Sequence, residues 1–450
     1  MQKFQRIFWG SLLLLALLWL LAEPTILQTS GLFAWRDQMV QLSGFLAIGC
    51  MSFAMLLALR PRWPERWLNG LDKMYRLHKW LGIAALVAAV IHWLWAKGPK
   101  WAVGWGLLAR PERGPRRVIE DPVEAFLAGY RGIAESLGEW AFYAAALLIL
   151  LALLKFVPYR LFYKTHRLLA AAYLVLALHT AVLVKFNYWA SPLGWLTALL
   201  LLSGSIAAGI VLLRRVGQDR QVDGRILKLT RYPGVKALEV EVSVPAGWPG
   251  HQAGQFAFAM SDPAEGPHPY TIASAWHPDE RTITFITKGL GDHTSRLPEK
   301  LRIGQPVRVE GPYGCFTFDD ARPVQIWVGG GIGITPFIGR MKHMAMQKAA
   351  PDWPPGQQVH LFHTTAEEDP AALAKLASDA AHAQVTLHVL VDARDGRLTG
   401  ERIRAAVPEW QQASIWFCGP AGFGDMLKRD FRSHGLAVDE RFHQELFAMR

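Results

Sequence analysis

Six runs of apolar residues mark the first half of the chain, at roughly 6–23, 39–60, 76–96, 138–157, 164–184 and 193–213. Each is long enough to cross about 30 Å of hydrocarbon, and charge is nearly absent inside them. They predict a six-helix transmembrane bundle over residues 1–216. The first run is read as a retained span. Lys3 and Arg6 precede it, but it is long for a secretory h-region, and no small-x-small cleavage site follows before Glu23 and Pro24. After Arg215 the pattern shortens. "GRILKLT", "ALEVEVSV", "QFAFAM", "TITFITK" and "PVRVEG" alternate apolar and polar positions between Gly/Pro turns, which predicts an antiparallel β-barrel domain over 217–320. From Pro323, the runs "VQIWVGG", "QVHLFHTT", "VTLHVLV" and "SIWFCG" alternate with helical stretches. That predicts an α/β domain with a parallel sheet over 321–450. The expected fold class is a multidomain membrane protein: helical bundle, then barrel, then α/β nucleotide domain.

Composition supports the membrane assignment. The chain is 51% hydrophobic and holds 19 Trp. Many of these, among them Trp9, Trp19, Trp63, Trp67, Trp140 and Trp195, lie at the ends of apolar runs, where a bilayer interface places an aromatic belt. The net charge of +11 does not point to nucleic acid. Its cations cluster beside the spans: Arg60, Arg62, Arg66, Lys73, Arg76 and Lys79; Lys155, Arg160, Lys164 and Arg167; Arg214 and Arg215. This is the positive-inside bias, and it places those loops and the second half of the chain in the cytoplasm, with a bacterial inner membrane as the expected location. The loop over 97–137 also carries basic residues, but it is long and holds acids as well. Cys50, Cys315 and Cys418 are far apart, so neither a disulfide framework nor a zinc site is expected.

Four histidines fall within the apolar spans, His78 and His92 in the third, His166 and His179 in the fifth. Polar side chains inside a bilayer are costly and usually functional, and neutral imidazole is an axial ligand of haem iron. His78 and His92 are fourteen residues apart, a rise of about 21 Å that returns to within roughly 40° of the same face. His166 and His179 are thirteen apart, which leaves them roughly 140° out of phase on a straight helix. Either that helix bends, or its two haems are approached from different sides. The two helices run in the same direction. His78 therefore pairs with His166 near the cytoplasmic face and His92 with His179 near the outer face, so that two stacked haems span the membrane.

Two further motifs carry chemistry. His268, Pro269, Tyr270, Thr271, Ile272, Ala273 and Ser274 follow a strand-like segment; an aromatic ring there can cover an isoalloxazine, and a hydroxyl or amide can reach its polar edge. Downstream, Lys288, Gly289, Leu290, Gly291, Asp292, His293, Thr294 and Ser295 open a short helix whose amides suit a pyrophosphate. Gly329, Gly330, Gly331, Ile332, Gly333, Ile334, Thr335 and Pro336 lie between a strand and a helix, where glycines admit a dinucleotide phosphate. Cys418, Gly419, Pro420, Ala421 and Gly422 end another strand. Cys418 would sit near the nicotinamide, although free cysteines are more often small buried residues.

On the 14/13 histidine spacing, "HPYTIAS", "GGGIGITP" and "CGPAGF", the chain resembles the NADPH oxidase and ferric reductase superfamily: a ferric-reductase-like membrane domain fused to a module similar to ferredoxin-NADP reductase. The resemblance implies two b-type haems ligated by His78, His92, His166 and His179. It implies FAD on residues 268–274 and on the loop from Gly291 to Ser295, and NADPH or NADH on Gly329 to Thr335 and on Cys418 to Gly422. It implies a C-terminal aromatic, Phe447, against the flavin. Electrons would pass to oxygen, to a ferric chelate, or to a periplasmic partner protein. Two positions depart from the pattern. Where NADPH-specific relatives place a basic residue, this chain has Glu367 and Glu368, with Arg394 and Arg397 on a later loop. Where oxygen-reducing animal members carry a histidine beyond the outer ligand, it has Ala96 and Lys97. No calcium- or adaptor-binding segment is visible, so constitutive activity is expected.

Overall fold

The computed structural model describes residues 2–110, 118–154, 156–348 and 357–445. The chain divides into two compact units, Met1–Pro64 with Lys73–Val216, and Glu65–Asp72 with Gly217–Met449.

The first unit is helical, with α1 (Gln2–Ala22), α2 (Leu32–Ala58), α3 (Arg62–Leu68), α4 (Leu71–Gly104), α5 (Pro122–Gly129), α6 (Arg131–Leu153), α7 (Tyr159–His166), α8 (Leu168–Leu183) and α9 (Pro192–Leu212); Glu65–Leu68 of α3 and the first two residues of α4 belong to the second unit. Six helical spans are long and apolar enough to cross a bilayer, α7 and α8 together making one. The protein is an integral multi-pass membrane protein. Leu13, Leu17, Leu147, Leu150, Leu202 and Ile206 point outward and are exposed. Water would make that costly, whereas lipid tails accept it. Helix contacts use small residues instead, Ala170 and Ala177 of α8 clustering with Ala207 and Ala208 of α9. In lipid, close approach through small side chains supplies the attraction that apolar burial cannot. α4 outruns the predicted span at both ends. At its start Leu71, Lys73 and Met74 are good helix formers and carry the ladder out of the apolar run.

The helical ladder breaks at one residue between α7 and α8. Arg167 stands outside both helices, and the Ala170 amide donates to the Arg167 carbonyl, a tighter i→i+3 bond of 3.1 Å. The assigned helix is thus interrupted directly after His166, between the two histidines whose thirteen-residue spacing leaves them out of phase on a straight helix.

The second unit holds two sheets. β1 (Gln221–Tyr232), β2 (Ala237–Ser243), β3 (Phe256–Met260), β4 (His268–Thr271), β5 (Thr282–Lys288) and β6 (Pro306–Tyr313) pair antiparallel in the order β4-β3-β6-β1-β2-β5, and α10 (Asp292–Lys300) lies between β5 and β6. The edges β4 and β5 approach only through one bridge, Ile272 to Phe285. The expected barrel is thus a curled sheet whose hydrogen-bonded ladder does not close: the chain leaves β4 after Thr271, too soon for a full register with β5. Alternation is clean in β2, where Leu238, Val240 and Val242 are buried and their neighbours half-exposed.

The other sheet is parallel. β7 (Val324–Gly330), β8 (Gln358–Thr365), β9 (Thr386–Val391), β10 (Ser414–Cys418) and β11 (Phe442–Glu445) run in the order β11-β10-β7-β8-β9. α11 (Thr335–Lys348), α12 (Pro370–Ala383), α13 (Asp392–Asp395), α14 (Gly400–Ala406), α15 (Ala421–Ser433) and α16 (Val438–Arg441) connect and cover it. β7 is buried at every position, as a central parallel strand covered on both faces must be. The strand order reverses between β7 and β10. An open α/β sheet forms its ligand crevice at such a switch point, outside the carboxyl ends of the strands.

Candidate functional site

The four membrane histidines come together in two pairs. The rings of His78 and His166 are 5.8 Å apart centre to centre, and those of His92 and His179 are 6.2 Å apart. Two imidazole nitrogens that share one metal ion, each bond about 2 Å, lie about 4 Å apart, and since each ring centre lies about 1 Å behind its nitrogen, ring centres near 6 Å suit such a pair.

Three of the rings are held from behind by backbone. His78 Nδ1 bonds the Ala54 carbonyl at 2.9 Å, His92 Nδ1 the Val40 carbonyl at 2.9 Å, and His179 Nδ1 the Ala134 carbonyl at 2.8 Å. A carbonyl can only accept, so each Nδ1 carries the proton and Nε2 keeps its lone pair for a metal. At the outer pair a glycine makes this reach attainable. Gly138 lies four residues after Ala134, and a Cβ there would sit 1.9 Å from His179 Nδ1. Gly44 lies four residues after Val40, and its Cβ would sit 3.0 Å from His92 Nδ1. Neither glycine was singled out from sequence. The signal that could have found them is a Gly on a facing span at the depth of each histidine.

A cavity of about 1120 Å³ surrounds His92 and His179. Its walls include Gly44, Ala85, Ala89, Gly138 and Phe142, and its rim carries Arg36, Lys97, Lys100, Arg131 and Lys185 together with four acids. Small apolar walls leave space for a flat macrocycle between helices, and cations at the rim suit carboxylates. A haem fits this donor set. At Ala96, Arg36 donates to the backbone carbonyl at 3.3 Å while pairing with Asp37 at 2.8 Å.

In the second unit the flavin motif divides in two. Ile272 and Ala273 are fully buried, and the Ser274 hydroxyl accepts from the Thr284 amide at 3.1 Å. These residues hold the sheet together. His268, Pro269 and Tyr270 remain partly open, and Thr271 is buried beside them. His268 and His293 stack at 3.8 Å with planes 7° apart, and His293 Nε2 lies 3.1 Å from the Tyr270 hydroxyl. Burial, and then the neighbouring His293, pushes the His268 pKa down to about 4. Glu265, His268 and His293 place their ligand atoms within 4.8 Å of one another. The two stacked rings nevertheless hold their in-plane lone pairs in nearly parallel planes, so an ion cannot lie in the plane of both rings.

In the loop before α10, Thr294 Oγ1 accepts from the Leu290 and Gly291 amides at 3.1 and 3.3 Å. Gly289 packs against Ser295 and donates to the Lys236 carbonyl at 3.0 Å. The Lys288 ammonium lies 3.7 Å from Glu367, which also holds Lys236 at 2.7 Å.

The two glycine-rich loops meet at the switch point between β7 and β10. Gly329 and Gly330 end β7, residues Gly331–Ile334 form one tight turn, and Thr335 opens α11 with its hydroxyl donating to the Ile332 carbonyl at 2.7 Å. Pro336 is buried in that first turn. A Cβ on Gly333 would lie 2.1 Å from the Cys418 carbonyl, and one on Gly330 3.0 Å from Pro420. Pro420, Ala421 and Gly422 are the exposed part of the second loop, and Gly419 is half-buried. Cys418 is fully buried, and burial, followed by Glu445, pushes its thiol well above the usual range. It packs as a neutral residue. Glu445, the strand partner of Cys418, is 5% exposed and was not given a role from sequence. Only the pairing of β11 with β10 brings the two together. Phe447 lies outside the described residues. At the far end of the crevice Glu368 pairs with Arg394 at 3.3 Å, and Arg394 also holds Asp395 at 3.1 Å, so the later-loop cation is already matched to acids.

Comparison with known proteins adds a lineage. Residues 43–177 match the family described as "Ferric reductase like transmembrane component". The chain is 30% identical over 175 residues to the NADPH oxidoreductase of Mycobacterium tuberculosis, covering 38% of this chain and 44% of that one. It is 29% identical over 212 residues to respiratory burst oxidase homolog protein A of Solanum tuberosum, covering 41% of this chain and 21% of that one. It is 24% identical over 335 residues to ferric reduction oxidase 8, mitochondrial, of Arabidopsis thaliana, covering 71% of this chain and 42% of that one. The chain thus spans less than half the length of each of these relatives. Its membrane unit carries a ferric-reductase-like transmembrane component over residues 43–177, and the chain as a whole is similar to NADPH oxidases and ferric reductases.

Proposed function

We propose that the protein carries electrons from NADPH or NADH, through FAD and two b-type haems, to an acceptor on the outer face of the membrane, either oxygen or a ferric chelate. The observation that supports this most directly is the meeting of four histidines as two facing pairs near 6 Å on two parallel spans. When bound, the flavin splits a hydride's two electrons and the haems relay them singly.

The chain's own residues supply position and protonation state. The carbonyls of Ala54, Val40 and Ala134 fix the tautomers of His78, His92 and His179, and such an outer hydrogen bond also makes the imidazole a stronger donor to iron. Gly331 and Ile332 present the turn at the start of α11 to the nucleotide phosphates, where unpaired amides favour anions. Tyr270 and His268 line the flavin side. Cys418 and Glu445 close the crevice where the nicotinamide would rest. The positive charge of the basic loops supports a cytoplasmic side for this module, in a bacterial inner membrane.

The test is optical. Purified protein in detergent should show b-type haem bands that reduce anaerobically on adding NADH or NADPH, and that reoxidise with oxygen or a ferric chelate. Wild-type protein without b-type bands would end this reading. Reduced haem that neither acceptor reoxidises would point instead to a periplasmic partner protein.

A further inference from the structure

The segment Glu65–Asp72, cut from the connection between the second and third spans, packs as part of the second unit. A short hydrophilic connection would ordinarily keep its acids in water. Here Glu65 is 7% exposed and Asp72 4%. Burying a carboxylate is costly unless hydrogen bonds or a counter-charge offset it. Glu65 has both. Its Oε1 accepts the Gly314 amide at 2.6 Å, and its Oε2 lies 3.9 Å from Arg220, itself buried. Arg220 stacks over the Tyr313 ring at 4.8 Å, and the Tyr313 hydroxyl donates to the buried Glu310 at 2.7 Å.

Gly314 is a junction. It follows β6, and its carbonyl accepts from the Gln255 side chain at 3.3 Å. The Gln255 carbonyl in turn accepts the Ile272 amide of the flavin motif at 2.9 Å. On its other side, a Cβ on Gly314 would stand 3.5 Å from Glu445 Oε1, next to Cys418. The turn that Glu65 grips therefore touches both walls of the proposed hydride-transfer site.

We propose that Glu65 is a positioning residue for the flavin: a carboxylate from the inter-span connection that holds the Gly314 turn, and through it the flavin strand and the Glu445–Cys418 edge. The proposal rests on the flavin reading above. One consequence is that a reductase module cut at residue 217 lacks this pin and leaves the Gly314 amide and Arg220 buried without it.

The test uses the full chain. Amide hydrogen exchange at Gly314 and the dissociation constant for FAD are measured for the wild type, Glu65→Ala and Glu65→Gln. Loss of a charge-assisted hydrogen bond should speed Gly314 exchange and weaken FAD binding by roughly tenfold or more in Glu65→Ala. Glu65→Gln keeps the side-chain volume and an acceptor for the amide but not the charge facing Arg220, and should fall between the wild type and Glu65→Ala in both, whereas an effect of packing alone would leave it at the wild-type level. Unchanged exchange in Glu65→Ala overturns the proposal. So does faster exchange with unchanged FAD affinity. A wild type that binds no FAD overturns the flavin reading itself, and it is recognisable because the exchange contrast between the two variants would persist.

Discussion

The membrane unit and the reductase unit build their sites by opposite means. In the membrane the chemistry sits on side chains, four imidazoles whose depth is set by helical rise and whose direction is set by helical phase. In the reductase unit it sits on backbone, on glycine loops brought together because the strand order reverses between β7 and β10. A side-chain site is sensitive to what stands behind each ring. A backbone site is sensitive to what is added in front of it.

The comparison can be broken first in the membrane. His179→Ala should remove about half of the haem and leave flavin reduction intact, since one of two sites loses a ligand; the haem-to-protein ratio from the absorption spectrum reads this. Gly138→Ala should lose nearly as much, although it touches no ligand atom by type. Its Cβ would stand 1.9 Å from His179 Nδ1, so the ring must leave its place. Gly44→Ala, with a 3.0 Å approach to His92, should retain haem and only shift its reduction midpoint. If Gly138→Ala holds full haem, the backbone clamp behind the outer pair is not what positions it.

The backbone site has its own counterpart. Gly333→Ala forces a Cβ against the Cys418 carbonyl and should cost about 1–3 kcal/mol of overpacking. Its signature is a raised KM for the nucleotide with haem content unchanged. Normal KM would mean that the two loops can part without loss.

Acid should distinguish the units by thermal melting of the reductase transition. His363, 8% exposed and bonded to the Gly329 carbonyl, has its pKa pushed down to about 4, chiefly by burial. His268 is depressed similarly. A group whose folded pKa lies below its unfolded value near 6.5 takes up protons on unfolding. Its contribution is complete above about pH 6.5 and is lost as pH falls from there toward 4. For His363 the loss is on the order of 3 kcal/mol. A melting temperature flat across that window would contradict it.

The smallest effect expected is on nucleotide choice. Glu367→Ala releases Lys236 and Lys288 from an exposed, solvent-screened ion pair. It should shift the NADPH-to-NADH ratio of kcat/KM a few-fold toward NADPH.

Much of this was readable from residues alone. Six spans, two kinds of sheet and the pairing of His78 with His166 and His92 with His179 follow from hydropathy runs, alternation and helical rise. These are local or periodic quantities, and a periodic pattern needs no knowledge of neighbours. The reading stopped where neighbours decide. The interruption of the helix at Arg167, between His166 and His179, is not announced by the residues around it. Gly44 and Gly138 gain meaning only when the carbonyls of Val40 and Ala134 face an imidazole from another span. The pairing of Lys288 and Lys236 with Glu367, far along the chain, likewise becomes visible only in the fold.

The sequence by itself determined the type and order of the elements and which side chains could serve as ligands, since burial and helical phase are properties of a segment. Tertiary structure alone decided which polar groups are spent on one another. It set Glu445 against Cys418, Arg394 against Glu368, and Glu65 beneath Gly314. The physical reason is that a hydrogen bond or ion pair depends on a few ångströms of separation between residues that can lie hundreds of positions apart, and no local pattern encodes that distance.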